Sequence, residues 1–160
     1  MFYSLYALSE SPVLLEVASR SVVVLCYAEW EGFYNECVEY FIEFLKENSL
    51  LSRVELIESV LEILDADFER FEKNFVKSKF NLNFSKLEIN FSIIGLEIVR
   101  LKIYRNRINK DLVLWRHKIA HGDAPDLSLL DARSHVHFTS NLLLEISDIF
   151  QQKMQDLLHI

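Results

Sequence analysis

The sequence predicts an all-α fold, one domain over residues 1–160 built as a single up-and-down bundle of four to five main helices. Three observations carry this. Glycine and proline, the residues that punctuate regular structure, number only 3 and 2 in 160 residues. Apolar residues recur every three or four positions over long stretches, the helical period. Helix-start signals stand directly ahead of those stretches. A chain of this length can bury a real core, and no internal repeat, linker or low-complexity tract divides it.

Residues 1–10 show no clear period and read as a lead-in. Ser11-Pro12 is a helix start, a capping serine before proline at the first helical position. The helix it opens runs from Val13 to about Asn48, with Val22, Cys26, Trp30, Phe33, Cys37, Phe41 and Phe44 as its apolar series. Gly32 interrupts that series at a helix-interior cost of about 1 kcal/mol, which suggests close packing or a kink. Ser52-Arg53-Val54-Glu55 reads as a capping box for a second helix to about Asp65. An amphipathic piece follows with Phe68, Phe71 and Phe75 on one face. Asn81-Leu82-Asn83-Phe84 is a turn, and Ser85-Lys86-Leu87-Glu88 a capping box for a short helix ending near Gly95.

Residues 96–105 are ambiguous, because Val99-Arg100-Leu101-Lys102-Ile103 alternates like a strand yet could begin a helix. A helix from about Asn106 to His121 comes next, with Gly122 as its stop and Asp123 to Asp126 as a loop. Counted at about 100° per residue, its Ile108, Leu112, Trp115 and Ile119 share one core-facing sector. Ser128 to Asp131 opens a short helix. The last helix, about Val136 to Leu158, carries Val136, Leu143, Phe150 and Leu157 at seven-residue spacing, with Leu142, Ile146 and Ile149 alongside.

The longest apolar run, Val22 to Ala28, is far too short to span a bilayer. The amino terminus has no basic region ahead of an apolar segment, so no secretory signal is expected. Cys26 and Cys37 lie about 16 Å apart along one helix, beyond the reach of a disulfide. These features predict a reduced, cytoplasmic protein with no membrane contact. The net charge of −7 hides an asymmetry, since Arg100 to Lys118 holds seven basic residues and one acid. That segment carries +6 and the rest −13. It is either a solvated face balancing acidic neighbours or a phosphate-attracting patch, with Arg105, Arg107, Lys110 and Lys118 as candidate RNA contacts.

The chain is organised around Trp115-Arg116-His117-Lys118-Ile119-Ala120-His121-Gly122. His117 and His121 stand one turn apart on the side opposite the core stripe, bordered by the apolar Val113 and Leu114. Three readings follow. The i, i+4 histidines have the spacing of zinc ligands, with Asp123, His135 or His137 as possible third ligands that no spacing singles out. The likeness to a His-Glu-x-x-His site fails where Lys118 stands in the glutamate position. The histidines could also be structural, with no chemistry. The third reading is metal-independent RNA cleavage. That reaction needs a proton carrier for the 2′-OH or the 5′-oxygen, and a fixed cation for the charge on the phosphate. An imidazole and an arginine fork suit these roles.

Arg116 to Gly122 resembles the Arg-x(4–6)-His motif of the HEPN superfamily, the small α-helical domains of prokaryotic toxins and defence nucleases. The Ile119-Ala120-His121-Gly122 ending is especially similar. Ala28-Glu29-Trp30-Glu31-Gly32-Phe33 resembles the Tyr-Ala-x-Trp-Glu-Gly-Phe stretch of one bacterial branch, and Asn81-Leu82-Asn83 fits that branch as well. Together these span roughly residues 20–155. One position departs: the residue after the arginine is most familiar as asparagine, and here it is His117.

The resemblance implies a homodimer with two motif helices facing across a cleft, and endoribonuclease action without a cofactor. It implies a toxin with a cognate antitoxin, or a phage-defence nuclease. The alternative is an inactive RNA- or nucleotide-binding or assembly module. The catalytic candidates are Arg116, His121 and His117. Glu31, a carboxylate beside a helix-interior glycine, is either a partner orienting Arg116 or His121 or an ordinary surface glutamate. On an ideal helix Arg116 and His121 stand about 140° apart. A chain leaving the helix at Gly122, the length of the arginine, or a two-fold partner would each relieve this.

Overall fold

The computed structural model describes residues 11–50, 82–127 and 130–159. The fold is all-α. Helix α1 spans Pro12–Glu47 and α2 Phe84–Ile93. A 3₁₀ segment, Val99–Tyr104, leads into α3, which comprises an α-helical turn Arg105–Arg107, a π-helical stretch Ile108–Leu114 and an α-helical end Trp115–Ala120. Helix α4 is Ala132–Leu158. None of the described helices is long and apolar enough to cross a membrane. The expected helix opened by Ser52 and the Phe68, Phe71 and Phe75 face lie outside the described residues.

Ring and side-chain contacts fix the helix directions. Cys26 meets Thr139 and Phe41 meets Phe150, so α1 and α4 run parallel. Trp30 bonds Leu82 and Tyr34 stacks on Phe91, so α1 and α2 run parallel too. Asn109 bonds Phe84 while Arg105 reaches Glu88, which makes α2 and α3 antiparallel. Trp115 lies by His135 and Arg100 pairs with Glu145, so α3 and α4 are antiparallel. The centre is aromatic: Phe91 and Phe150 meet edge-on at 6.0 Å, and Trp30, Tyr34, Phe41 and Phe84 are fully buried.

The helix ends show where local chemistry decided. Ser11 precedes Pro12 as expected, but its side chain makes no capping bond; its carbonyl takes the Leu15 N–H at 3.0 Å. Helix α2 is capped by Asn83, whose side chain accepts from the Lys86 N–H, so it starts ahead of the expected Ser85 box. Three helix ends close in the same way. Leu50 bonds back to Leu45, Leu96 to Phe91 and Asp123 to Lys118, each past a residue of positive φ: Ser49, Gly95 and Gly122. Asp131 is the cap of α4, which begins at Ala132 rather than Val136; the start of the short helix expected from Ser128 lies outside the described residues.

Several core assignments shift. On α1 the buried stripe is Val23, Cys26, Tyr27, Trp30, Tyr34, Val38, Phe41, Ile42 and Leu45; Val22, Phe33, Cys37 and Phe44 are only half-buried. Counting apolar residues passed over two tyrosines whose rings pack inward. Gly32 is exposed and a Cβ there would meet nothing within 4 Å, so close packing does not explain it. On α4, Val136 is exposed; His135, Phe138, Thr139 and Leu142 face inward instead. On α3, Ile108 and Leu112 are fully buried but Trp115 and Ile119 are not. The π stretch is the reason. Its i→i+5 bonds spend an extra residue per turn, so positions counted at the α-helical angle drift off the core face.

Candidate active site

The site is the carboxyl end of α3 with what packs around it. His121 is the last residue before the chain turns, at φ −91° and ψ 6°, and Gly122 takes φ +81°. The His121 N–H bonds the carbonyls of His117 and Lys118, Gly122 bonds Ile119 and Asp123 bonds Lys118. This closed end holds the backbone at His121. The His117 and His121 rings lie 4.3 Å apart, centroid to centroid, both exposed.

Arg116 goes the other way, towards α1. Its guanidinium lies over the Tyr27 ring at 4.9 Å, a contact that favours a planar cation on an aromatic face. The Tyr27 hydroxyl donates to Glu31 Oε1 at 2.9 Å and accepts the Leu82 N–H at 2.9 Å. Burial, then the Glu31 carboxylate, push this hydroxyl well above its ordinary pKa, while Leu82 and Arg116 pull it back. It stays protonated and keeps donating. Trp30 Nε1 holds the other side of the same residue, donating to the Leu82 carbonyl at 3.0 Å. Tyr27, Trp30 and Glu31 thus form a seat on α1 for both Arg116 and the chain entering α2. Glu31 is half-buried and accepts the hydroxyl of the tyrosine that lies under Arg116. Tyr27 was missed by sequence reasoning, although its place one turn before Glu31 and three residues before Trp30 was there to be read.

The basic residues do not form one patch. Arg105 pairs with Glu88 and lies over Phe84 on the α2 side. Arg107 pairs with Asp111 at 3.0 Å and lies over Phe138, 3.8 Å from its centroid, on the α4 side. Arg100 meets Glu145 and Asp148. The balancing reading describes these three arginines. Lys110 stands over Trp115 at 6.0 Å, and Lys118 is half-buried in the last turn of α3. Such exposed ion pairs are worth about 0–1 kcal/mol each and break readily for a stronger anion.

Of the possible third metal ligands, only Asp123 stands at the closed end of α3, where its N–H bonds the Lys118 carbonyl. His137 is beside Asn141, and His135 is buried with its ring near Trp115 and Phe138. No group of three His, Cys, Asp or Glu that could hold a metal occurs among the described residues. His135 is 2% exposed, and neither ring nitrogen has a partner among the described residues. Burial lowers its pKa; Asp111 opposes this and Arg107 adds to it. A folded-state pKa below the unfolded value means that the unfolded chain binds the extra proton. Stability is therefore full above about pH 6.5 and is lost as pH falls below it. We expect the urea midpoint to drop between about pH 7.5 and about pH 5.5, and to drop less in His135→Phe. Equal drops in the two proteins would show that His135 is not the group responsible.

An all-α bundle whose helix α3 ends in Arg-x(4)-His-Gly, seated on the Trp-Glu-Gly stretch of α1, defines a HEPN-type domain. A model of the RiboL-PSP-HEPN family matches residues 2–152, and the chain belongs to that family. No curated protein and no solved structure matches it significantly. Membership makes it a HEPN-type nuclease or RNA-binding module, of a kind that commonly binds RNA and dimerises.

Proposed function

We propose that the chain is a metal-independent endoribonuclease in which His121 is the general acid/base and Arg116 stabilises the phosphate. The observation that carries this is the closed end of α3: two exposed imidazoles 4.3 Å apart, fixed by the turn at Gly122, one turn from an arginine held on Tyr27. In the reaction the ribose 2′-oxygen attacks phosphorus as its proton is taken up. The bond to the 5′-oxygen then breaks as that oxygen receives a proton. Arg116 meets the charge that gathers on the non-bridging oxygens. His117 stands close enough to share the proton traffic. Lys110 and Lys118 supply further positive charge for the strand. The Arg116 guanidinium and the His121 ring point to different neighbours within one chain, which favours a two-fold dimer in which each arginine serves its partner's histidine.

Purified protein incubated with cellular RNA in EDTA should leave fragments ending in 2′,3′-cyclic phosphate or its hydrolysis product. Expression should slow bacterial growth, as a toxin or phage-defence nuclease would, and a cognate antitoxin would relieve it. Intact RNA together with normal growth would leave a binding or assembly module as the reading. Light scattering at micromolar concentration should give twice the chain mass of 18.9 kDa. Leu114, 45% exposed beside the histidines, is an apolar residue for the partner to cover. Leu114→Glu should shift the protein towards monomer, and a monomeric parent would count against the shared-site geometry.

A further inference from the structure

Beside the histidines, between the start of α2 and the π stretch of α3, lies a groove of about 350 Å³ lined by Asn83, Ser85, Asn109, Val113, Leu114 and His117. We propose that this groove is a base-recognition subsite for a keto base, guanine or uracil, in the RNA strand presented to His117 and His121. The inference rests on the nuclease reading for its position beside the cleaved bond, and on the groove's own chemistry for its selectivity.

The two asparagines decide that chemistry. Asn83 Oδ1 accepts the Lys86 N–H at 2.9 Å, and Asn109 Oδ1 accepts the Phe84 N–H at 2.9 Å. A carboxamide has one oxygen and one NH₂. With both oxygens committed to backbone donors, neither amide is free to flip, and each is left with an NH₂ that has no partner among the described residues. The lining thus offers two fixed donors and the Ser85 hydroxyl, which can give or accept. No lysine or arginine lines it, so it is poorly suited to a phosphate. Val113 is half-buried and gives an apolar floor, and the exposed His117 ring gives a face for stacking. Unpaired RNA bases are read in this way, by stacking on a ring and by hydrogen bonds to an edge.

Fixed donors select for acceptors. Guanine shows O6 and N7, and uracil shows O4, where adenine and cytosine show an amino group. An amino group facing an asparagine NH₂ leaves two donors opposed and both unsatisfied. His117 links this reading to the reaction, since its ring borders the groove and lies 4.3 Å from that of His121. That gives the histidine in this position a use.

The test is a random single-stranded RNA pool in EDTA, with cleavage sites read by sequencing for the parent, Asn83→Asp and Asn109→Asp. Aspartate keeps the oxygen that accepts the backbone N–H and caps helices as well as asparagine, so both variants should melt like the parent. Each replaces an NH₂ donor by an acceptor. The parent should favour guanine or uracil by about tenfold at one position flanking the cut. The variants should bring this within about twofold, or turn it towards adenine and cytosine. Cleavage without such a preference, or with the preference unchanged in both variants, overturns the subsite and leaves the nuclease reading standing. A parallel selection of bound RNA with His121→Ala separates the two ideas further. If the parent does not cleave but bound RNA is enriched in guanine or uracil at one position, and Asn83→Asp or Asn109→Asp in that background abolishes the enrichment, the subsite stands and the nuclease reading falls. If there is neither cleavage nor enrichment, both fall.

Discussion

His121→Ala is expected to slow RNA cleavage by about 10²–10⁴-fold, the usual loss when a positioned proton carrier is removed. Arg116→Ala should cost about 10²–10³-fold, as when one donor to a developing oxyanion is deleted. The double variant should fall short of the product, because a proton carrier without its cation works on a barrier already raised. The measurement is a single-turnover rate in EDTA at saturating protein, which keeps weakened binding apart from slowed chemistry. His121→Ala should keep the parental melting temperature, and Arg116→Ala should lower it by no more than about 2–4 °C. His121 is exposed, and its backbone bonds rather than its side chain hold the helix end. Arg116 contributes a cation–π contact of about 0.5–1 kcal/mol at a partly exposed site. His117→Ala is the informative third variant. Loss equal to that of His121→Ala would make the pair one catalytic unit, and a small loss with altered base preference would place His117 in the groove. Unchanged rates for both Arg116→Ala and His121→Ala would remove the proposed mechanism whatever the parent does.

The features legible in the sequence were those that short range determines. Pro12 marks the start of α1, Gly122 the end of α3, and the i, i+4 spacing puts His117 beside His121. Each depends on a few consecutive residues. Period counting failed where its assumption failed. It takes about 3.6 residues per turn throughout, so Trp115 and Ile119 were placed on the core face, and the π stretch Ile108–Leu114 has no residue signature to warn of it. Asn83 outcompeted Ser85 as the cap because the chain enters α2 at a position set from outside, by Tyr27 and Trp30, more than fifty residues away. The length of Arg116 was one of three ways offered to close its gap to His121, and what the sequence did not show is the tyrosine on another helix over which its guanidinium lies. Charge alone left the basic segment open between a balancing face and a patch, because sequence does not show that nearby arginines leave a helix on different sides; Arg105 goes to α2 and Arg107 to α4.

Trp30→Ala is expected to cost about 3–5 kcal/mol, the range for truncating a buried aromatic, and to be the most damaging single change in the described residues. Trp30 is fully buried, and it also carries the N–H that satisfies the Leu82 carbonyl. An alanine would leave a cavity and an unpaired buried acceptor, the latter worth about 1–3 kcal/mol. Against a typical total of about 5–15 kcal/mol, such a variant should be partly unfolded at 25 °C or nearly so. Trp30→Phe separates the two contributions, since it keeps most of the ring and removes only the donor; its loss should be about 1–3 kcal/mol. Urea unfolding at 25 °C reads both. A Trp30→Phe loss close to that of Trp30→Ala would show that the bond to Leu82 matters more than the packing. The residue it holds leads directly into Asn83, the cap of α2, and its N–H is bound by the tyrosine under Arg116. Loosening Leu82 therefore moves two walls of the site together. In folded Trp30→Phe the cleavage rate should fall by more than the unfolded fraction explains, and a rate that simply follows the folded fraction would confine the latch to stability.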